Sequence, residues 1–194
     1  MSSRGTFTLL MTSTVTAFKF ALGSWDLSYG DTGADGTLEA DGGDITVPEP
    51  GVYFMYVDLD ALTYSLEKVQ FGIIGTATAG GWDNDTDMVY NAESGAWTIT
   101  APLIGGQCLK FRANDGWDLN YGDLDDDGLL ELNGDNISVA NSAVYKIKLF
   151  LDRPDYTFSV EIPASDNRAM FYTEGQSLVG QPVSFVAQNL IFCP

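Results

Sequence analysis

The feature that most limits how this chain can fold is a passage written twice. "FALGSWDLSYGDTGADGTLEADGGDITV" runs from Phe20 to Val47, and "KFRANDGWDLNYGDLDDDGLLELNGDNISV" runs from Lys110 to Val139. Trp25 and Trp117, Tyr29 and Tyr121, Gly36 and Gly128, Ile45 and Ile137, Tyr53 and Tyr145, and Tyr64 and Tyr156 all recur at one spacing of 92 residues. Upstream the spacing falls to 91 for Lys19 and Lys110 and to 90 for Phe7 and Trp97, so single residues separate the hairpins there. A stride of this length is a duplicated domain rather than a solenoid repeat. The first copy has no upstream counterpart of residues 69–94, so it is expected to be incomplete.

Each copy reads as strands. "VQFGIIG" (69–75), "AWTIT" (96–100), "CLKFRA" (108–113), "AVYKIKLFL" (143–151) and "DYTFSVEI" (155–162) are rich in β-branched and aromatic residues, several in strict alternation. Gly, Asn and Asp clusters punctuate them at the spacing of an antiparallel sandwich. The expected fold is all-β, with tandem immunoglobulin-like antiparallel β-sandwich domains. Residues 1–68 form a partial repeat, 69–162 a complete sandwich, and 163–194 a tail or the start of a following domain. The shortfall in the first copy predicts a chain cut across domains, the alternative being a tail that lends strands to it. Trp97, Phe111, Tyr145, Ile147, Leu149, Tyr156 and Phe158 are expected in the core or faces of the complete unit.

Composition narrows the chemistry. Hydrophobic residues make up 45% of the chain and aromatics 12%, enough to build a core and exclude a disordered segment. Nine basic against 27 acidic residues leave a formal charge of −18, which repels nucleic acid and anionic lipid. There is no histidine, so the commonest general base and metal ligand is missing. Cys108 and Cys193 have no motif spacing. No apolar run reaches the length of a transmembrane helix, and the N-terminus has no signal-peptide core.

With these residues in view, "IIGTATAGGWDNDTDMVYNAESGAWTIT", "LKFRANDGWDLNYGD" and the later "GDNISV", "VYKIKLFL" and "YTFSVE" together resemble the repeated domains of the SusE/SusF family. These are outer-membrane lipoproteins of Bacteroidetes that bind starch or other glycans at the cell surface. The Gly-Gly-Trp turn and the "NDGWDLNYG" stretch are also similar to starch-associated sandwich modules of bacterial pullulanases. The resemblance covers nearly all of residues 69–162 and the later part of the first copy, and "NRAMFYTEGQSL" is similar to the opening of a following domain. It implies a non-catalytic surface protein, lipid-anchored in its full-length form, that retains a neutral polysaccharide for uptake, α-glucan first. Partners in an outer-membrane uptake complex are implied with it.

The residues themselves fit glycan binding. Sugar rings pack their C–H faces on exposed aromatic planes beside hydrogen-bonding side chains. Trp82 in "AGGWDNDTD" reads as a loop residue with a face to solvent, and Trp117 in "NDGWDLNYG" as a turn residue. Period-two alternation sets Lys110, Arg112 and Asn114 on one strand face beside Trp117. The first copy keeps Lys19, Trp25 and Tyr29, but it has Ala21 and Leu22 in the region of Arg112 and Asn114 and no counterpart of Trp82, so weaker or no binding is expected there.

Other readings are set beside this one. A structural spacer or adhesin sandwich would use the same tryptophans for folding. A glycosidase needs a carboxylate pair across a cleft, and nothing marks such a pair, so no enzyme and no cofactor is expected. Asp123, Asp125 and Asp127 before Gly128 open like a calcium loop, but the twelfth place is Gly134 rather than glutamate and the first copy has Gly33 at the middle position. These acids read as a solvated turn, and no metal site is expected.

Overall fold

The structure is a computed structural model describing residues 6–13, 17–21, 23–153 and 155–163. The expectations for the tail beyond Pro163, Cys193 among them, lie outside the described residues. Among the described residues the fold is all-β with antiparallel sheets and no helix, so no helix is long and apolar enough to cross a membrane.

The first copy contains β1 (Thr6–Ser13), β2 (Ala17–Phe18), β3 (Phe20–Ala21), β4 (Ser28–Gly30), β5 (Glu39–Ala40), β6 (Ile45–Thr46), β7 (Gly51–Asp58) and β8 (Thr63–Lys68). Its sheet β1-β7-β8 packs against the short sheets β3-β4-β5 and β2-β6 through Leu38, Ile45, Met55 and Val57. The second copy contains β9 (Phe71–Gly75), β10 (Gly81–Asp87), β11 (Val89–Asn91), β12 (Ala96–Leu103), β13 (Gln107–Ala113), β14 (Asn120–Gly122), β15 (Glu131–Leu132), β16 (Ile137–Val139), β17 (Ala143–Phe150) and β18 (Thr157–Glu161). One of its sheets runs β10-β9-β13-β14-β15, with β16 also on β13, and faces the sheet β11-β12-β17-β18.

The duplication holds in the backbone. Strands β4, β5 and β7 lie 92 residues before β14, β15 and β17, and β1 lies 90 before β12, in each case with identical bounds. Strand β13 pairs β16 with its first half and β14 with its second. In the first copy those halves are separate strands, β2 on β6 and β3 on β4. Among the described residues, no strand of the first copy matches β9, β10 or β11.

One landmark is corrected. Asp58 pairs Thr63, whereas Phe150 pairs Thr157, so the turn before β18 is two residues longer and the true spacing there is 94. Tyr64 therefore matches Phe158, and its agreement with Tyr156 is accidental.

The doubled Tyr-Gly-Asp has a physical cause. Asp31 and Asp123 donate their amides to the carbonyls of Gly43 (2.9 Å) and Asp135 (3.1 Å). That approach is so close that a Cβ on Gly30 or Gly122 would run into the same carbonyl oxygens. The carboxylates of Asp31 and Asp123 then accept the amides of Gly36 and Gly128, each at 2.9 Å, where the chain turns at positive φ. Glycine is the residue that adopts this backbone without strain.

The second core is the expected one. Trp97, Phe111, Tyr145, Ile147 and Leu149 are buried, and Tyr156 and Phe158 pack against them half-buried. Phe71 stacks edge-on against Trp97 at 5.6 Å. The expected boundary between residues 68 and 69 falls where β8 passes into β9 through Val69 and Gln70. Packing continues across it: Val69 donates to the Val52 carbonyl at 2.9 Å, and the Phe54 ring meets Phe71 at 6.3 Å.

Candidate functional site

The outer face of β9 and β13 carries the candidate site. Register sets Lys110 opposite Ile74 and Arg112 opposite Gly72 on this face. At the sheet edge, β10 leaves register between Gly81 and Thr86, an irregularity of the β-bulge kind. Within it lie Trp82, Asp83, Asn84 and Asp85. Trp82 was expected in a loop and is instead a half-buried residue of this edge strand.

Trp117 stands on the turn between β13 and β14 and remains 47% exposed, so one surface of its ring is open to a ligand. Its backbone carbonyl is held by the side-chain amide of Asn120 at 2.7 Å. The rings of Trp82 and Trp117 lie 6.0 Å apart at 42°, in tilted contact. The two tryptophans singled out from opposite ends of the sequence motif are therefore neighbours.

Arg112 lies beneath this surface rather than beside it. Its guanidinium carbon is 4.7 Å from the Trp117 ring centroid, within cation–π range. Nε donates to Asp85 Oδ1 at 2.6 Å, and a terminal guanidinium nitrogen pairs with the same oxygen. Both side chains are almost wholly buried, at 6% and 3% exposure, so the pair shields itself from water. Arg112, expected as a sugar donor, is a support for Trp117.

Asp85 reaches over the strand between. A Cβ on Gly72 would meet the Asp85 Cβ at 2.9 Å and Thr86 O at 3.1 Å, so the missing side chain gives Asp85 its path to Arg112. Sequence reading passed over Asp85 and Gly72. Trp82 and Asp85 have opposite parity, and both lie in the bulge, Asp85 reaching Arg112 of β13 and Trp82 reaching Trp117 on the turn that follows.

Asn114 does not share the face with Lys110 and Arg112, which corrects the alternation argument. Strand β13 ends at Ala113, and Asn114 turns left-handed at φ 54°. Its Oδ1 accepts the Gln70 amide at 2.9 Å, its Nδ2 donates to the Lys68 carbonyl at 2.9 Å, and its backbone amide donates to the Gln70 carbonyl at 2.8 Å. The side chain is committed to clasping the crossing from β8 to β9. Lys110 is half-buried. Burial pushes its amine below the ordinary lysine range, and the charge of Asp135 pulls the other way.

The first copy presents a bare version of the same face. Phe20 pairs Tyr29 as Phe111 pairs Tyr121, so Ala21 stands where Arg112 does. Trp25 is 74% exposed, and Lys19 lies 3.7 Å from Asp44.

No family model matches the chain, and no curated protein matches it. Among solved structures it is similar to SusF from Bacteroides thetaiotaomicron, at 17% identity and a TM-score of 0.38, over 84% of this chain and 44% of that one. The chain thus spans less than half the length of that protein. At that score the likeness leaves the chemistry of the site to its own residues.

Proposed function

We propose that the chain is a non-catalytic glycan-binding protein whose second copy holds a neutral oligosaccharide or polysaccharide on Trp82 and Trp117. The observation that carries this is the pair of indoles at 6.0 Å and 42°, with Trp117 47% exposed, Trp82 half-buried beside it, and the buried Arg112–Asp85 pair against Trp117. An exposed indole is costly to keep in water, and Trp117, with Trp82 beside it, offers the kind of apolar plane that pyranose C–H faces cover. The SusE/SusF resemblance makes α-glucan the first choice. With Arg112 neutralised by Asp85 and the chain at −18, an acidic glycan would be repelled.

Lys110 is the side chain of this face with donors to spare for a sugar hydroxyl. Few groups engage, so affinity lies at about 10⁻³ to 10⁻⁵ M. Display at a cell surface, with retention of substrate for uptake, follows from the SusE/SusF resemblance and belongs to the same proposal.

Calorimetry and affinity electrophoresis against a panel of neutral glycans test it. Binding that is nearly independent of salt and abolished in the Trp82→Ala, Trp117→Ala double variant is the expected result. Absence of binding to every neutral glycan, or undiminished binding by the double variant, leaves a structural spacer as the better reading.

A further inference from the structure

The turn that carries Trp117 is fastened to the crossing between the two copies. Ala113 donates its amide to the Leu119 carbonyl at 2.9 Å and accepts the Gly116 amide at 3.0 Å, so residues 114–118 project as one short loop. Asn114 and Asp115 open that loop in consecutive left-handed conformations, at φ 54° and 55°. Asn and Asp tolerate this backbone better than other side chains do, and it persists where the surroundings hold it in place. Asn114 supplies the hold. Its side chain grips the chain on both sides of Val69: Oδ1 accepts the Gln70 amide and Nδ2 donates to the Lys68 carbonyl, each at 2.9 Å. Val69, between them, donates its amide to the Val52 carbonyl of β7, so the crossing is itself anchored in the first copy.

Little else fixes the direction of Trp117. Its ring is 47% exposed and touches the Trp82 ring and the Arg112 guanidinium, while Asn120 holds its backbone carbonyl. The first copy shows the same turn without the clasp. Four residues separate Phe20 from Trp25, where five separate Phe111 from Trp117. The left-handed residue there is Gly23, at φ 74°, which has no side chain to grip with, and Trp25 stands 74% exposed.

We infer that Asn114 is a positioning residue for the glycan face: it acts through Trp117, holding that ring against Trp82 by tying the loop to the crossing at residues 68–70. This rests on the reading of the two indoles as the glycan face. It makes a site built from second-copy residues depend on the segment that joins the copies. A face assembled in advance loses less affinity to ordering when the ligand arrives.

Asn114→Gly tests this directly, since glycine keeps the left-handed backbone and the amide that donates to the Gln70 carbonyl, and removes only the side-chain clasp. Far-ultraviolet circular dichroism of the whole chain without ligand reads the exciton couplet of two indoles in contact, and Trp82→Phe, which removes one of them, assigns it. Asn114→Gly is expected to lose most of that couplet and, by calorimetry, to bind a maltooligosaccharide at least about threefold more weakly. Asn114→Asp, which keeps an acceptor for the Gln70 amide, is expected to fall between. Undiminished affinity in Asn114→Gly overturns the inference. So does weaker affinity with an undiminished couplet, which would make Asn114 a direct sugar contact. A wild type that binds no neutral glycan overturns the reading of the face instead, and the couplet in Asn114→Gly still decides the positioning.

Discussion

Strands β7 and β17 occupy the same place in the two copies and bury different amounts of themselves. In β17, Tyr145, Ile147 and Leu149 face the core while Val144 and Lys146 face water. In β7 the matching inward residues Tyr53, Met55 and Val57 are buried, and so are Val52 and Phe54 on the other side. Phe54 and Tyr56 stand where Lys146 and Lys148 do. Strand β7 is thus buried on both sides, between the short sheets of its own copy and the core of the second copy. The comparison teaches that the first copy is held by its neighbour. Lacking strands to match β9, β10 and β11 among the described residues, it offers an outward apolar face to Phe71 instead.

The strongest way to break that comparison is to exchange the outward residues. Phe54→Ala is expected to cost about 3 to 5 kcal/mol, the range for removing a fully buried aromatic side chain. Lys146→Ala, its exposed counterpart, should stay within about 0.5 kcal/mol of wild type. Denaturant unfolding of both variants checks this, and a small loss in Phe54→Ala would show that the two copies stand independently.

Next in size is the buried pair that the second copy has and the first lacks. Asp85→Asn alone is expected to cost about 3 kcal/mol, because it strands the Arg112 charge out of water. Replacing both, Asp85→Leu with Arg112→Met, should cost clearly less than the single change, since a buried ion pair and its apolar isosteres are often close in stability. Unfolding free energies of the three variants decide it. Glycan affinity of the double variant sharpens the point: the Trp117 ring loses its brace, so binding should fall even where stability returns.

Much of this architecture was legible in the sequence, for reasons that also explain the failures. The register of 92 survived because it rests on atoms that cannot move, the Gly30 and Gly122 contacts and the carboxylates that cap Gly36 and Gly128. Alternation placed Trp97 and the inward face of β17 because those strands are regular. It failed at Asn114, where a left-handed residue ends the strand, and the loop reading of Trp82 failed because the bulge keeps that segment on the sheet edge. Tyr156 misled because a tyrosine fell by chance two residues short of the position that pairs like Tyr64. Gly72, whose role is to be absent beneath Asp85, has no mark in a single sequence.

The third contrast is between Trp117 and Trp25, matched in sequence and unequal in surroundings. Trp117 has Trp82 against it and Arg112 below, and Trp25 stands over neither. Trp117→Ala is expected to weaken glycan binding about tenfold or more, roughly 1.4 kcal/mol, with little change in melting temperature. Trp25→Ala should leave affinity within about twofold. Equal losses from both would mean that the ligand spans the two copies, and calorimetry on each variant separates the outcomes.

The smallest contrast is one hydroxyl, on Tyr64 and absent from the matching Phe158. Burial raises the Tyr64 phenol first, and its hydrogen bond to Asp31 and the charges of Asp31, Asp35 and Glu39 add to this, to about 12. The folded chain therefore holds this proton more tightly than the unfolded chain does. The stability it contributes is complete below the ordinary tyrosine value of about 10 and is lost as pH rises from there through about 12. Because the phenol is largely solvent-screened, the effect is small. Tyr64→Phe is expected to flatten the loss of stability across that alkaline window while changing neutral stability by less than about 1 kcal/mol.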